Sequence, residues 1–466
     1  MQTLTLASPS AMPTANEQEL MLCSVIILRR EDAEILVSGQ APGYRLPVTR
    51  IPKRQRIAPN LGRGIEEHLG LQTIGRFCVV PEGRHRDTCS IVVDVLDSGT
   101  AAPGGYLWLS LGEIRWDDFA PDAAGALWSA LARINAYSTG KLAGHFVRTG
   151  WYEEVSNWIN GSLARSGLTL GGLSSQYNFG PDFALLRFTT SGPAVWFKAV
   201  GQRCAREYAI TRILADAGFP HIPRVLAVCE DWRGWVSLEA AGRHPGSDTS
   251  GAEWRAAARA LAELQIASIS HTGTLLTAGA RDFRVDHLHQ AIEPALSRLS
   301  ALMERQPSVP PHRLGTEEFR TIERQLREAC RRLGTPGIPD AVGHSDFNSG
   351  NVLIDGRDAV FLDWAESHIG PPCITFAYLE LLAGPARSRF RMREVYSDTW
   401  KALCLSDQIK TLLDVSPLLA AFAHVLACDE TGHPPEDLSP KLAGYLRSLA
   451  RRMHVEARAV EGEGLL

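Results

Sequence analysis

Short apolar runs dominate the first quarter of the chain, and their spacing predicts β-strands. Between residues 17 and 113 these runs read LMLCSVIIL, AEILVSG, RFCVVPE and CSIVVDVLD, each ended by turn residues. The stretch APNLGRGIEEHLGL instead repeats its apolar positions Leu61, Ile65 and Leu69 every four residues, which predicts a helix. The pattern therefore predicts a small α/β or α+β module.

Two helices are predicted to connect this module to a second strand-rich region. They are DAAGALWSALARINAY, with Asp122 as its expected N-cap, and GWYEEVSNWINGSLARSG, which ends near Gly167. From about Leu168 to Gly242, DFALLRF and AVWFKAV flank the turn TTSGP, and the predicted helix AREYAITRILADAGF separates them from the strands RVLAVCED and GWVSLEA.

After Gly251 nearly the whole pattern is helical, beginning with EWRAAARALAELQ. The exception is a hairpin predicted from NVLI and AVFLDW, with DGRD at its turn. We predict an α+β chain with a disordered tail (1–16), an accessory module (17–117), a helical linker (118–167), a β-rich part (168–242) and a helical part (243–466).

Composition narrows the function classes. The 466 residues are 45% hydrophobic and 21% charged, as in a globular protein of several domains. A net charge of -4 provides no basic footprint for nucleic acid. The uninterrupted apolar runs are strand-sized and the first residues carry no secretory signal, so we expect no membrane association. Nine scattered cysteines favour reduced thiols in the cytoplasm over a zinc site or a disulfide framework.

Candidate chemistry is concentrated in GHSDFNSGNVLI, Gly343–Ile354, and in FLDWAE shortly after it. Phosphoryl transfer needs a carboxylate that orients the accepting hydroxyl and oxygen ligands for magnesium. Asp346 is the candidate carboxylate, while Asn351 and Asp363 are candidate ligands of Mg²⁺. The alternative is an ordinary turn, because Asp and Asn favour turns. We expect His344 to pack under the loop and hydrogen-bond the backbone.

A candidate cation lies upstream. Lys198 occupies the middle of the apolar strand AVWFKAV, where a lysine is costly unless it is paired or used. Glu207, on the following helix, is its candidate partner. A lysine held in this way can grip the phosphates of a nucleotide. The alternative is an edge-strand lysine whose ammonium reaches solvent.

Together, HSDFNSGN, FLDW, FKAV and REY resemble the aminoglycoside phosphotransferase and choline kinase-like superfamily, from about Leu168 to the C-terminus. The resemblance implies a protein-kinase-like bilobal fold with a β-rich N-lobe and a helical C-lobe. It implies a Mg²⁺-dependent transfer of the terminal phosphoryl group of ATP (or GTP) to a hydroxyl of an aminoglycoside, an amino sugar or a natural-product intermediate.

The same resemblance assigns roles to residues. Asp346 would be catalytic, Asn351 and Asp363 would bind Mg²⁺, Lys198 would contact phosphate and Glu207 would hold it. The backbone around Leu238, Glu239 and Ala240 would meet adenine, and SSQYNFGPD takes the place of the nucleotide-covering loop. That loop lacks G-x-G-x-x-G, and an acidic residue typical of the family after the metal Asp is missing from PPCITFAYLELL. Without DFG, APE or a lysine two residues after Asp346, the chain departs from protein kinases.

The accessory module resembles the Nudix hydrolase fold through YRLPVTRIP and RGIEEHLGL. Gly64 and His68 replace two glutamates of the Nudix box, and only Glu67 remains in place. The resemblance implies an inactive cap that stabilises the kinase part or shapes its acceptor cleft, and an ordinary α+β accessory domain is the alternative. Two other functions stay open: a Nudix-type hydrolase of nucleoside diphosphate compounds, and a non-catalytic nucleotide-binding pseudokinase.

Overall fold

The computed structural model describes residues 20–29, 31–53, 55–79, 88–202, 204–334, 337–384, 386–428 and 434–463. The chain forms two compact units. The first comprises Met1–Tyr208 and Arg224–Glu239, and the second comprises Ala209–Pro223 and Ala240–Leu466. Both sheets and helices are present, which confirms the predicted α+β class. The predicted disordered tail over 1–16 lies outside the described residues, and the predicted domain boundaries stay predictions.

A six-stranded sheet forms the first part of unit one. Its strands are β1 (Leu20–Arg29), β2 (Glu34–Ser38), β3 (Val48–Pro52), β4 (Thr73–Val79), β5 (Thr88–Val95) and β6 (Tyr106–Ser110). Their order is β4-β5-β1-β2-β6, and β3 also pairs with β1. Only the β1–β5 ladder is parallel; the other ladders are antiparallel. The four predicted strands are therefore present as β1, β2, β4 and β5, and β3 and β6 are two that the apolar pattern did not indicate.

Helices cover both faces of this sheet, which explains why β1 is apolar at consecutive positions. On one face, Ile26 packs in a core with Leu127 of α2 (Pro121–Ser138). On the other face, Ile27 packs with Leu61 and Ile65 of α1 (Ile57–Leu69), the predicted helix. Successive strand residues thus serve two separate cores.

The predicted N-cap of α2 is wrong by two residues. Ala120 is the N-cap, Pro121 opens the helix, and Asp122 lies in its first turn. Proline suits this position because its missing N–H would have no partner there, and its fixed φ fits a helix. The carboxylate of Asp122 then acts on the positive end of the helix dipole rather than as a cap.

A five-stranded antiparallel sheet completes unit one. Its strands are β7 (Leu170–Phe179), β8 (Ala184–Thr190), β9 (Val195–Ala199), β10 (Val225–Cys229) and β11 (Gly234–Leu238), in the order β10-β11-β9-β8-β7. On one face Phe197 is buried with Val155 and Ile159 of α3 (Trp151–Ala164). The alternate residues of β9, including Lys198, lie on the opposite face. This sheet therefore has one apolar face, which packs against α3, and one less buried face, which carries Lys198.

The segment SSQYNFGPD is mostly strand, not a loop as its place in the resemblance implied. Residues 174–179 belong to β7 and pair with β8, the last pair being Phe179 with Ala184. Only residues 180–183 form the connecting turn. Three register shifts along β7 accommodate its small and polar residues, which explains why the sequence lacks a clean strand pattern.

Unit two is mainly helical, as predicted. Helix α4 (Ala205–Asp216) starts in unit one; the others are α5 (Gly251–Ser268), α6 (Thr272–Thr277), α7 (Val285–Glu304), α8 (Thr316–Leu333), α9 (Cys373–Leu382), α10 (Ala386–Trp400), α11 (Ser406–Cys428) and α12 (Pro440–Glu463). The short strands are β12 (Arg281–Asp282), β13 (Ala341–His344), β14 (Val352–Asp355), β15 (Asp358–Phe361) and β16 (Ser367–Gly370). The β14–β15 hairpin confirms the one predicted from the sequence.

Helix α11 is, among the described residues, the one helix long and apolar enough to cross a membrane by length and composition. Its most apolar 18-residue window has a mean hydropathy of 1.7, and 61% of that window is buried inside the protein. The helix contributes Leu418, Leu419 and Phe422 to the largest core. Such burial is typical of a core helix, which passes the same length and composition test.

A buried arginine ties the six-stranded sheet to the segment before α3. The side chain of Arg76 on β4 is 1% exposed, and its Nε lies 2.8 Å from the carbonyl oxygen of Val147. Its Nη1 lies 2.5 Å from Asp32 and 3.1 Å from Asp94. A guanidinium has enough donors to serve all three partners from one position. Arg76 therefore fixes residues that are far apart in the chain.

Replacing Arg76 tests this network. We expect Arg76→Leu to destabilise unit one by about 3–5 kcal/mol, because two carboxylates and a buried carbonyl lose their shared cation. Thermal and urea unfolding followed by circular dichroism measure the loss. The control is Arg148→Leu, since Arg148 is 49% exposed in its pair with Glu154 and should contribute about 1 kcal/mol or less. Equal losses in the two variants would contradict the role given to Arg76.

Candidate active site

Two short buried strands hold the loop that carries Asp346. Strand β13 is buried throughout and pairs antiparallel with β16, with His344 opposite Ser367. Immediately after β13, the amide N–H of Ser345 donates to the carbonyl oxygen of Glu366 at 2.8 Å. Both ends of the segment 345–366 are thereby fixed to each other. The Asp346 loop and the β14–β15 hairpin therefore lie between two backbone positions that are hydrogen-bonded to each other.

The carboxylate of Asp346 is held by Asn348. The Asn348 side chain accepts a hydrogen bond from the amide of Gly350 (2.8 Å), so its NH₂ group points back and donates to Asp346 Oδ1 (3.0 Å). Burial raises the pKa of Asp346 above its ordinary value, while the Asn348 hydrogen bond lowers it, and the carboxylates of Asp363 and Glu366 raise it further. The carboxylate therefore lies in a partly dry and negatively charged environment.

Asn351 and Asp363 are joined to Asp346 through the backbone. The side-chain NH₂ of Asn351 donates to the carbonyl oxygen of Asp346 at 2.8 Å, and the amide of Leu362 donates to the carbonyl oxygen of Asn351 at 2.9 Å. Asp363 follows in a left-handed conformation (φ 62°, ψ 70°), which only a few residue types tolerate. The structure thus brings the three sequence-predicted residues of this loop together.

The donor set fits magnesium. Because the nitrogen of the Asn351 amide is used toward Asp346, its Oδ1 is directed elsewhere and accepts no hydrogen bond from the described residues. Amide and carboxylate oxygens are the hard ligands that Mg²⁺ prefers, with phosphate oxygens of a nucleotide completing the shell. No group of three or more His, Cys, Asp and Glu side chains suited to a metal occurs in the described part of the chain. Asn351 and Asp363 would therefore hold the ion jointly with a bound nucleotide.

His344 bonds to the backbone, as the sequence analysis expected. Its Nδ1 accepts the amide N–H of Asp346 at 3.1 Å, which leaves Nε2–H to donate to the carbonyl oxygen of Leu362 at 3.1 Å. The ring lies 5.4 Å from the Trp364 ring, centroid to centroid. His344 therefore links the residues that precede Asp346 to those that precede Asp363.

Two further residues have partners that sequence reasoning missed. Glu366 forms an ion pair with Arg281, whose side chain is 7% exposed, and His368 is 1% exposed with its Nδ1 3.0 Å from Ser345 Oγ. The sequence analysis gave no role to Arg281, which is 85 residues away from its partner. Nothing local in the sequence could have identified this pair, because β12 meets β16 only in the fold.

The predicted cation site lies in unit one. Lys198 Nζ is 2.5 Å from Glu207 Oε1, and the Glu207 side chain is 4% exposed while that of Lys198 is 23% exposed. The ammonium also lies 5.8 Å from the centroid of the Trp235 ring. The predicted ion pair is therefore formed: the Glu207 carboxylate is buried, and the Lys198 side chain is partly exposed on the face of the sheet opposite α3.

Two of the three backbone amides predicted to meet adenine already donate hydrogen bonds within the protein. The amide of Leu238 donates to Arg224 and that of Glu239 donates to Ala194, both at 2.9 Å, whereas the Ala240 amide has no partner in the described part of the chain. The Glu239 side chain instead receives two hydrogen bonds from Arg187 (2.6 and 2.7 Å), which lower its pKa. Of the three amides predicted to meet adenine, that of Ala240 alone therefore lacks an acceptor among the described residues.

Helix α1 is crowded at one of the positions where a Nudix box carries a glutamate. A Cβ atom on Gly64 would lie 2.7 Å from Thr49 Oγ1, so a glutamate there requires Thr49 to move. His68 Nδ1 lies 2.8 Å from the carbonyl oxygen of Gly64, within the helix. Glu67 is exposed. Of the two substituted positions, 64 is therefore crowded by Thr49, whereas His68 lies on the exposed side of the helix.

The buried His368 should make the stability of the protein depend on pH. Burial lowers its pKa from 6.5 to about 3, so the unfolded state binds a proton between these values and the folded state does not. The stability contributed by neutral His368 is complete above pH 6.5 and is lost as the pH falls toward 3. We expect His368→Gln, which keeps a polar partner for Ser345, to lose stability less steeply with acidification.

The urea midpoint of each variant, measured from pH 4 to pH 7.5, gives the slope of its stability against pH. The control is His68→Gln, because His68 is exposed on α1 and its ring bonds a backbone carbonyl rather than a carboxylate. A His368→Gln slope identical to that of the unmodified protein would show that this ring does not control acid sensitivity.

Three solved structures are similar to this chain at low identity. A macrolide 2'-phosphotransferase from Brachybacterium faecium is 16% identical, with coverage of 64% of this chain and 96% of that one and a TM-score of 0.40. A putative aminoglycoside phosphotransferase from Ralstonia eutropha JMP134 is 15% identical (66% and 98%; 0.42), and choline kinase from Cryptosporidium parvum Iowa II is 12% identical (68% and 98%; 0.46). All three TM-scores lie below 0.5, so no functional argument rests on them.

The family comparison is more informative. No protein of curated function matches the chain. Residues 195–402, somewhat less than half of the chain, match the phosphotransferase enzyme family (APH). The matched segment contains Lys198, Glu207, Asp346, Asn351 and Asp363. It confirms, for this part of the chain, the prediction of an enzyme that is a small-molecule kinase.

Proposed function

We propose that the protein transfers the terminal phosphoryl group of ATP (or GTP) to a hydroxyl group of a small molecule, in a Mg²⁺-dependent reaction. An aminoglycoside, another amino sugar or a natural-product intermediate is the proposed acceptor class. The observation that carries the proposal is the hydrogen-bonded link from Asp346 to Asn351 and on to Leu362, the residue before Asp363. This link supports the proposal because it joins the proposed base to the two proposed oxygen ligands within one loop.

In this proposal Asp346 orients the acceptor hydroxyl and accepts its proton as the oxygen attacks the phosphorus atom. Asn348 holds one carboxylate oxygen, Oδ1, which leaves the other for the hydroxyl. Burial raises the pKa of the Asp346 carboxyl, which makes its carboxylate a stronger proton acceptor than that of an exposed aspartate. Bound magnesium, held by Asn351 and Asp363, would neutralise charge on the phosphates.

Lys198 is the proposed phosphate-binding cation. The short contact with the buried Glu207 fixes the direction of the lysine side chain. A preorganised ammonium stabilises negative charge that shifts onto the leaving phosphates, without the cost of reorienting during the reaction. The Ala240 amide is the proposed adenine contact, because, of the three amides predicted to meet adenine, it is the one that donates to no acceptor among the described residues.

The two alternative functions find less support. A Nudix-type hydrolase needs a cluster of carboxylates on α1, yet Gly64 and His68 stand in place of two of them, and a side chain at position 64 would crowd Thr49. A non-catalytic nucleotide-binding protein does not need a carboxylate held by a dedicated amide donor, yet Asn348 provides that donor for Asp346. Both features favour catalysis by the loop that carries Asp346.

Asp346→Ala tests the proposed base. We expect transfer to fall by about 10²–10⁴-fold or more, because the acceptor loses its proton acceptor, while nucleotide affinity stays within about twofold. Product is measured as a mass shift of about 80 Da after screening hydroxyl-bearing acceptors with ATP and GTP. Asp355→Asn, at the tip of the β14–β15 hairpin, is the matched control and should retain full activity. Undiminished transfer by Asp346→Ala would refute the mechanism.

Lys198→Met tests the proposed phosphate grip. We expect kcat/KM for the nucleotide to fall by about 10²-fold, because the β- and γ-phosphates lose a fixed cation, with the acceptor KM little changed. Lys198→Arg keeps the charge but not the compact ammonium, so it should recover only part of the loss. Steady-state kinetics with each substrate varied separately provide the comparison. A purely acceptor-side defect would contradict the assignment.

A further inference from the structure

The turn between β7 and β8 is fastened to the six-stranded sheet by a buried side chain. Gln176 on β7 is 8% exposed, and both ends of its amide bond the backbone of Gly75 on β4: the Gly75 N–H donates to Oε1 (2.7 Å) and Nε2 donates to the Gly75 carbonyl oxygen (3.0 Å). The two residues are 101 positions apart in the chain. A complete pairing of this kind has strict geometry, because any displacement leaves buried polar groups unsatisfied.

A second contact involves the last residue of β7. A Cβ atom on Gly75 would lie 2.8 Å from the Phe179 ring, so the ring packs directly on the glycine backbone. Phe179 also packs against the core of the six-stranded sheet that contains Ile27 and Leu61. Glycine at position 75 is therefore required by the close approach of this ring.

A third contact holds the turn itself. The amide of Phe146 donates to the carbonyl oxygen of Pro181 at 3.0 Å. Phe146 precedes Val147, whose carbonyl oxygen is bound by Arg76, the neighbour of Gly75 on β4. Two adjacent residues of one strand thus control the turn by separate routes, one through Gln176 and one through Phe146.

The turn between β7 and β8 lies next to β9, the strand that carries Lys198. Ala184, the first residue of β8, pairs with Ala199, and Lys198 pairs with Leu185. Asp182 of the turn packs so closely on Gly201 that a Cβ there would lie 2.4 Å from the Asp182 Cβ. The turn therefore borders the end of the strand that presents Lys198.

We propose that the six-stranded sheet is a positioning device for the nucleotide: Gln176 and its partner Gly75, with Phe179 and Phe146, hold the β7–β8 turn in the conformation that binds the nucleotide phosphates beside Lys198. This inference rests on the proposed phosphotransfer and gives the accessory module a role in binding the donor. Gln176 is a positioning residue, since it acts through the turn. A turn ordered before binding loses less conformational freedom when the nucleotide arrives.

Two variants loosen the turn in different ways. Gln176→Leu removes both hydrogen bonds to Gly75 while keeping a side chain of similar size. Gly75→Ala keeps the hydrogen-bonding groups, but its Cβ would crowd both the Phe179 ring (2.8 Å) and Gln176 Oε1 (3.1 Å). We expect each variant to raise the nucleotide KM and the Kd for ATP by about tenfold, and to leave the acceptor KM within about twofold. Isothermal titration with ATP and Mg²⁺ and steady-state kinetics measure these constants.

The matched control separates positioning from stability. Val155→Ala on α3 opens a cavity in the core under the same five-stranded sheet, a core to which residues 180–183 of the turn do not contribute. It should lower Tm at least as much as the two turn variants and leave the nucleotide constants unchanged. Amide hydrogen exchange of residues 180–183 adds a direct readout, with faster exchange expected in Gln176→Leu and Gly75→Ala only.

The results distinguish this inference from the proposed function. If the unmodified protein binds ATP but phosphorylates no acceptor, the transfer proposal fails while the ATP Kd values still decide the role of Gln176. Unchanged Kd and KM values for the nucleotide in both turn variants would overturn the inference. A rise of equal size in Val155→Ala would also overturn it, because general destabilisation would then explain the effect.

Discussion

The candidate active site depends on one hydrogen bond, from the Asn351 side chain to the carbonyl oxygen of Asp346. It closes the loop that carries the carboxylate and fixes which end of the amide remains for a ligand. The pairing of β13 with β16 supplies the platform on which this loop starts and ends. Both strands of this platform are buried throughout, and the hydrogen bonds within the loop determine the directions of the functional side chains.

Much of this arrangement was predictable because the chemistry and the local pattern agree. The β14–β15 hairpin follows from two apolar runs around a turn, and the Lys198–Glu207 pair follows from the cost of an unpaired lysine in an apolar strand. Where both arguments applied to the same residues, the predicted contacts are formed. Local pattern is sufficient in these places because the partners are close in sequence or their chemistry restricts the choice.

The failures have a common physical origin in long-range contacts. Strand β7 carries no clear alternation because Gln176 is buried against a sheet 101 residues away in sequence, and the pairing of Arg281 with Glu366 depends on β12 meeting β16. The role of Asn348 was missed for a different reason: an Asn before a Ser-Gly pair looks like an ordinary turn residue, and its hold on Asp346 is visible only in three dimensions.

The double hydrogen bond between Gln176 and Gly75 has a consequence for how the chain can be divided and how it folds. A fragment that begins after the six-stranded sheet would expose the buried amide of Gln176 and the ring of Phe179 to water, and would retain a hairpin with no support for its inner side. During synthesis the N-terminal sheet emerges first, so it can serve as a template on which this hairpin docks. The two sheets of unit one therefore depend on each other during folding, although the proposed phosphate-binding residue, Lys198, lies in only one of them.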